Sequence, residues 1–430
     1  MNFLSTRGGT PATSLDDALA AGLAPDGGLY VPERVPTLAD AAPLPTLAAT
    51  AQRLLAPFFE GSRLHDALGA LCAEAYAFDA PLRPLAGPGD HVLELFHGPT
   101  AAFKDYAARF LAASLARLRD DGDGDTGIVA ATSGDTGAAV AAAFHGRPGF
   151  RVTILYPQGR VSPRQAHGLE CWGGNVRAFR VAGSFDDCQR MAKAVLADAD
   201  LRARRRLTSA NSISLGRLLP QMAYYAHAAA RFHAEIGARL GFVVPTGNLG
   251  NACAAALAQR MGAPVGPIVL ACNANDALPR YFGGDDYAAQ PTRATLANAM
   301  DVGAPSNFER LRHLFGGDDA ALRAAIGAVS VDDAAIRETI RTAPARHGIV
   351  PCPHTATALH VLETLRERGD ARPWAVVATA HPAKFETIVE PLAGVAVPIP
   401  PALADCLARP AHGEALPADA QALREVLLND

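Results

Sequence analysis

From residue 127 onward, apolar and polar positions alternate in a repeating order: a short apolar run, a glycine-containing turn, then a stretch of helical length. GIVAATS (127–133) is followed by GDTGAAVAAAFHG (134–146), RVTILYP (151–157) by SPRQAHGLECWGG (162–174), and VRAFRVAG (176–183) by SFDDCQRMAKAVLADADLRARRR (184–206). A long amphipathic stretch, LGRLLPQMAYYAHAAARFHAEIG (215–237), predicts one helix leading into a further strand, turn and helix, GFVVPTGNLGNACAAALAQRMG (241–262). PIVLACNA (267–274) and PWAVVATA (373–380) are two more strand candidates. Apolar runs of strand length alternating with helices predict βαβ units and a mainly parallel sheet, hence an α/β fold. The stretch 284–330 is polar and irregular in period and reads as an insertion or surface loops. The first ninety residues are Ala/Pro-rich with short amphipathic pieces and a PDGG turn before LYVP, a packed N-terminal segment. The expected partition is a segment over 1–90, a smaller α/β domain over 91–215 and a larger one over 216–430, with the chain crossing between them.

Composition narrows the partners. The chain has 430 residues, is 49% hydrophobic and carries a formal net charge of -4. That is long enough for two or three packed domains, with no electrostatic footing for nucleic acid or an anionic membrane. The RARRR run at 202–206 reads as a solvated helix end. No window has the length of apolar sequence that spans a bilayer, and the start lacks the apolar stretch of a secretion signal. Seven scattered cysteines show no zinc spacing and read as reduced, buried thiols of a cytoplasmic protein. Monomer and homodimer are both open.

Among 39 Lys and Arg residues only three are lysines, at 104, 193 and 384. Lys104 lies in ELFHGPTAAFKDYAARFL (94–111), just ahead of a helix. A cation is poorly placed at a helix N-terminus, but that location lowers an amine's pKa, and an amine, unlike a guanidinium, can lose its proton and attack an aldehyde. This is what a Schiff-base lysine requires. In VVPTGNLGNACAAAL, Gly247 and Gly250 allow the amides of 247–251 to close around a phosphate, although the turn alone reads equally as an ordinary strand-to-helix connection. It lacks the lysine of a nucleoside triphosphate loop and the spacing of a dinucleotide loop, so a small phosphorylated cofactor fits better. In AATSGDTGAAV, Thr132, Ser133, Asp135 and Thr136 surround Gly134 with four oxygen-bearing side chains, either a helix cap or a grip for a carboxylate or a phenol-like hydroxyl. Amine, phosphate cradle and polar turn together describe a site for pyridoxal 5'-phosphate. Lys193, in an amphipathic helix, reads as a surface residue.

These stretches, with NSISLGRLLPQ, NANDALPRYF, NAMDVGAPSNFER, ATAHPAKFE and the opening STRGG…GLAPDGGLYVP, occur in an order and spacing that resembles the threonine synthases. These are pyridoxal phosphate enzymes of the tryptophan synthase β-like fold (fold type II), and the resemblance spans nearly the whole chain. It implies that Lys104 holds the cofactor as a Schiff base and later shuttles protons. It also implies that Gly247, Asn248, Leu249, Gly250 and Asn251 form the cofactor's phosphate loop, that Asp135 approaches its 3'-hydroxyl, and that Thr379 faces its pyridine nitrogen. The implied reaction is conversion of O-phospho-L-homoserine and water into L-threonine and phosphate. The substrate carboxylate falls to Thr132, Ser133 and Thr136, and its phosphate to Asn211, Ser212 and Arg217, although by itself Arg217 reads as a surface-helix arginine. Lys384 is either a second amine near the substrate phosphate or an ion-pair partner. Two positions depart from the family pattern: Cys352 stands where an acid is expected, and Leu249 where an aromatic is. The competing expectations are a phospholyase or serine/threonine dehydratase of the same fold, and a cofactor-binding protein without turnover, which would have no need of Lys104.

Overall fold

LGFVVP (Leu240–Pro245) is buried at all six positions and WAVVA (Trp374–Ala378) at all five. Strands apolar on both faces belong inside a parallel sheet covered on both sides. In the computed structural model, which describes residues 1–120, 122 and 124–429, both runs lie at the centre of such a sheet. The strands are β1 (Phe3–Ser5), β2 (Tyr30–Pro32), β3 (Leu82–Pro84), β4 (Asp90–Glu94), β5 (Thr126–Ala131), β6 (Phe150–Pro157), β7 (Val176–Ala182), β8 (Arg206–Ser209), β9 (Leu240–Pro245), β10 (Val265–Cys272), β11 (Ile326–Ser330), β12 (Trp374–Ala378) and β13 (Gly413–Pro417). A six-stranded sheet has the order β11-β10-β9-β12-β4-β3, and a five-stranded sheet the order β13-β7-β6-β5-β8. Every pairing in both is parallel except that of β3 with β4. β1 and β2 form a separate antiparallel ribbon. The chain passes from the larger sheet to the smaller after β4, back after β8, and again to the smaller for β13.

Three expectations are corrected. The single helix over 215–237 is two, Leu215–Leu218 and Met222–Ile236, joined by a 3-10 turn at Leu219–Gln221. Pro220 lacks the amide that would continue the ladder. The stretch 184–206 is likewise interrupted at Asp198, whose side chain accepts from Leu201 N and caps the second helix; the arginine-rich run then ends that helix and begins β8. The stretch 284–330 is not all loop: Phe308–Leu314 and Asp319–Ala325 are helical, and β11 forms the edge of the larger sheet. At the other end of the chain, Leu423 and Leu427 of the helix Ala420–Asn429 pack with Cys188 and Met191 of the helix Phe185–Ala197. Among the described residues no helix is long and apolar enough to cross a membrane.

Candidate active site

The carboxyl ends of strands from both sheets meet at one cleft, the place where parallel sheets present helix N-termini to ligands. β4 leads to Lys104, β5 to the Thr132–Thr136 turn, β8 to Asn211 and Ser212, β9 to the 246–250 loop and β12 to Thr379. All of these residues line the cleft, with Arg217 and His354.

Lys104 is the first residue of the helix Lys104–Leu118. The turn before it is clasped by Asp105, whose carboxylate accepts from Thr100 N at 2.8 Å and Thr100 Oγ1 at 2.7 Å. Phe103 N donates to Thr379 O at 2.8 Å, tying this turn to the end of β12. Burial pulls the Lys104 pKa down to about 8; Asp135 opposes the shift, while Arg217 and Lys384 add to it. Among the described residues, the non-glycine positions with positive φ are Ala101 (51°), three residues ahead of Lys104, and Leu249 (66°), in the 246–250 loop. Left-handed backbone costs such residues about 1–2 kcal/mol, strain that concentrates where a ligand fixes the loop shape.

The 246–250 loop opens the helix Gly250–Arg260, which has no side-chain cap. Asn248 shapes it from three sides: its Nδ2 donates to Ser212 Oγ at 2.6 Å, its Oδ1 accepts from Ser306 N at 2.5 Å, and its carbonyl accepts from Asn307 Nδ2 at 3.0 Å. Among the described residues the amides of Gly247, Asn248 and Leu249 find no acceptor. A side chain at Gly247 would place its Cβ 2.7 Å from Met300 Cα, so only glycine lets the 298–300 segment close over the loop. Asn251 Oδ1 accepts from Tyr224 and Tyr225 hydroxyls at 2.5 and 2.9 Å, which leaves its buried Nδ2 without a partner.

In the second turn, Thr132 Oγ1 accepts from Gly134 N at 3.0 Å and Gly137 N at 2.9 Å, so this hydroxyl oxygen shapes the turn. Ser133 and Thr136 stay half-exposed to the cleft. Asp135, 3% exposed, is held by Lys384 Nζ at 2.7 Å and Gln165 Nε2 at 3.2 Å. Burial alone would raise its pKa, but Lys384, then Lys104 and His354, hold it below the usual carboxylate range. Lys384 Nζ also donates to Thr100 O at 2.8 Å. Of the two roles left open for Lys384 in the sequence, the structure carries the ion pair. It stands behind Asp135, which lines the cleft.

Arg217 is 2% exposed, which removes the surface-helix reading. Its guanidinium reaches Ala210 O at 2.5 Å, has no carboxylate partner among the described residues, and leaves Nε unbonded. Burial lowers its pKa to about 10. Asn211 Oδ1 is a further buried atom without a partner. Asp105 opposes the lowering of the Arg217 pKa from beyond ion-pair distance, and a buried cation without a charged contact partner is costly unless an anion joins it.

His354 and Arg310 escaped the sequence reading. His354 lines the cleft 2% exposed, with Nε2 accepting from Ala299 N at 3.1 Å, and burial lowers its pKa to about 4, so it is a neutral imidazole. The histidine of PCPHTA was a visible signal. Cys352, two residues earlier, is fully buried, and its Sγ accepts from Thr355 N at 3.5 Å as the cap of the helix Pro353–Glu367. The thiol thus fills a capping post in which an acid would also serve. Arg310, from the SNFER stretch, donates to Tyr30 O, Ile213 O and Asn307 Oδ1 and pins the N-terminal segment to the 211–214 turn; only the fold shows these partners.

The cleft therefore offers a primary amine, a loop of free amides at a helix N-terminus, and an uncompensated guanidinium with unpaired amide groups. That donor set suits a phosphorylated aldehyde cofactor and an anionic substrate. The family described as "Pyridoxal-phosphate dependent enzyme" matches residues 90–383, "Threonine synthase N terminus" matches 2–76, and "Threonine synthase, C-terminal" matches 355–427. The threonine synthase of Haemophilus influenzae is 38% identical over 405 residues, 94% of each chain. The chain belongs to the threonine synthase family. Its fold follows that of the crystal structure of threonine synthase from Escherichia coli, with a TM-score of 0.92, 36% identity and full coverage of both chains. A structure described as PLP-bound threonine synthase from Brucella melitensis superimposes with a TM-score of 0.90 at 34% identity, covering 100% of this chain and 99% of that one. Pyridoxal 5'-phosphate is accordingly the cofactor, and the chain is a pyridoxal-phosphate-dependent lyase of fold type II, the cofactor and fold that the resemblance implied.

Proposed function

We propose that this threonine synthase-family chain converts O-phospho-L-homoserine and water into L-threonine and phosphate, the last step of threonine biosynthesis. The observation that carries the reading is the pairing in one cleft of the depressed Lys104 amine with the uncompensated Arg217 cation. Lys104 would bond the cofactor's aldehyde carbon, the amides of Gly247 to Asn251 would take its phosphate, Asp135 its 3'-hydroxyl and Thr379 its pyridine nitrogen. When bound, pyridoxal phosphate supplies an electron sink that acidifies hydrogens near the substrate's amino carbon.

The chain's own residues supply position and protons. Arg217, with Asn211 and Ser212, grips the substrate phosphate; a planar guanidinium takes two phosphate oxygens at once. Ser133 and Thr136, with the hydroxyl hydrogen of Thr132, hold the carboxylate. A Lys104 amine with a pKa near 8 both accepts and returns a proton near neutral pH. Lys384 keeps Asp135 ionised and fixed at 2.7 Å, so the carboxylate is neither free to drift nor a competing base. His354, neutral, holds the 298–300 segment over the cleft through Ala299 N.

The partition we propose is an N-terminal segment over about residues 1–90 and two α/β domains, each built on one sheet. The seven buried free thiols suit a reducing compartment, and we place the enzyme in the cytoplasm as a monomer or homodimer.

The test is a product analysis on the cofactor-loaded protein with O-phospho-L-homoserine, together with borohydride reduction and peptide mapping. Threonine and phosphate in equal amounts, with the reduced cofactor on Lys104, is the expected result. A 2-oxo acid with ammonia and phosphate would replace the reading with elimination by a same-fold lyase, and cofactor on any other residue would remove the role given to Lys104.

A further inference from the structure

The three lysines of this arginine-rich chain converge on a single cleft. Lys104 and Lys193 line it, and Lys384 stands behind Asp135, which lines it too. The roles of two are given above. Lys193 was read as a surface residue, and it is exposed, but it does not face away from the site.

The helix Phe185–Ala197 shows why. Its Cys188, Met191, Ala192 and Val195 enter a core cluster, with Phe185 and Leu196 packed against it, and Phe185, Gln189, Ala192, Lys193 and Leu196 line the cleft. That second set follows the i, i+4, i+7, i+8, i+11 spacing of one helical stripe. Phe185, Ala192 and Leu196 serve both the core and the cleft wall, and Gln189 and Lys193 are the members of the stripe outside that core.

A carboxylate three or four residues away on the same helix would pair with a surface lysine. Lys193 has Gln189 and Arg190 on one side and Leu196 and Ala197 on the other. Arg190 takes its own helical partner, Asp187, at 2.6 Å. Among the described residues Lys193 has no ion pair and no hydrogen bond. It is therefore an unpaired ammonium at the exposed wall of a cleft whose inner wall holds the buried, uncompensated Arg217. A flexible, strongly hydrated point charge is suited to meeting a phosphate that is still partly in water, whereas a buried planar fork is suited to fixing it.

We propose that Lys193 captures the phosphate group of the incoming substrate at the cleft mouth and so biases the enzyme toward phosphorylated amino acids. The inference rests on the functional reading above and adds to it a specificity residue outside the inner phosphate grip. Cations lining a cleft raise the local concentration of a doubly charged anion, an effect that salt weakens.

The test uses the cofactor-loaded full chain, with Lys193→Gln and Lys193→Arg as variants and inorganic phosphate as the probe. Phosphate binding is measured by calorimetry, and substrate kinetics at low and high salt. Lys193→Gln is expected to weaken phosphate about tenfold and to raise KM for O-phospho-L-homoserine about tenfold with kcat within twofold, as one lost charge contact allows. It should also flatten the salt dependence of kcat/KM, while Lys193→Arg stays within about threefold of the parent. Unchanged phosphate affinity and KM in Lys193→Gln, in an enzyme that makes threonine, would overturn the inference and leave the function standing. Phosphate binding weakened by Lys193→Gln, together with a parent that makes no threonine, would support the anion-capturing lysine and sink the functional reading instead.

Discussion

A direct consequence of the site's electrostatics is that Lys104 titrates far below an ordinary lysine, and that Arg217 is part of the reason. Burial is the main cause of its pKa of about 8, with Arg217 and Lys384 acting in the same direction and Asp135 against it. At pH 7.5 a group of pKa 8 is neutral about a quarter of the time; one at the ordinary 10.5 is neutral about 0.1% of the time, a difference of about 240-fold in reactive amine. The assay is competitive labelling of the cofactor-free chain by a small acylating reagent from pH 6 to 11, with free Nα-acetyl-lysine as internal standard and the extent at Lys104 read by peptide mass spectrometry. The Lys104 curve is expected to reach its midpoint near 8, more than two pH units below the standard. Replacing Arg217 with Met removes a positive neighbour and moves the midpoint up; replacing Asp135 with Asn removes the opposing negative charge and moves it down. A parental midpoint above 10, or a downward move in Arg217→Met, would refute the electrostatic account of this amine.

Other consequences concern the frame around it. Lys384→Met leaves Asp135 buried without its cation, a change that costs about 3–5 kcal/mol, and the Lys384→Met/Asp135→Asn double variant should recover more than half of that in denaturant unfolding. Because the folded Asp135 pKa lies below its ordinary 3.8, the pair's stabilisation is present above about pH 4 and is lost as the pH falls through the folded value; unfolding measured against pH should show it. Gly134→Ala sets a Cβ 2.7 Å from Gln165 Nε2 at a residue with φ of 133°, so about 1–3 kcal/mol of stability should go, with weaker cofactor binding in a pyridoxal phosphate titration. Arg310→Met strips donors from Tyr30 O, Ile213 O and Asn307 Oδ1, which predicts a loss of about 3 kcal/mol and faster hydrogen exchange in β2.

What the sequence disclosed and what it concealed divide along one physical line. Strand-turn-helix units such as 127–146 and 241–262 were legible because period, turn glycines and helix caps act within a few residues of one another. The chemistry of Lys104 was legible for the same reason, since amine and helix N-terminus are neighbours in the chain. β11 and β13 were not: each is a five-residue sheet edge, partly exposed, that becomes a strand only when a distant strand offers its ladder. The broken helix at Pro220 should have been read from that proline, and the long apolar stretch on either side hid it. Lys384 and Asp135 stand at opposite ends of the catalytic half of the chain, so neither motif alone decides whether the lysine meets substrate or carboxylate; their 2.7 Å contact does. Arg217 was misread in isolation because a helix turn of four residues gives no amphipathic period from which to infer burial. Lysine scarcity, applied only to Lys104 at the level of sequence, proves to be a property of the whole site. Where a bidentate fork or a solvated surface charge serves, this chain uses arginine. All three of its ammonium groups stand around one cleft, where a compact donor, a removable proton or a mobile point charge is what the position demands.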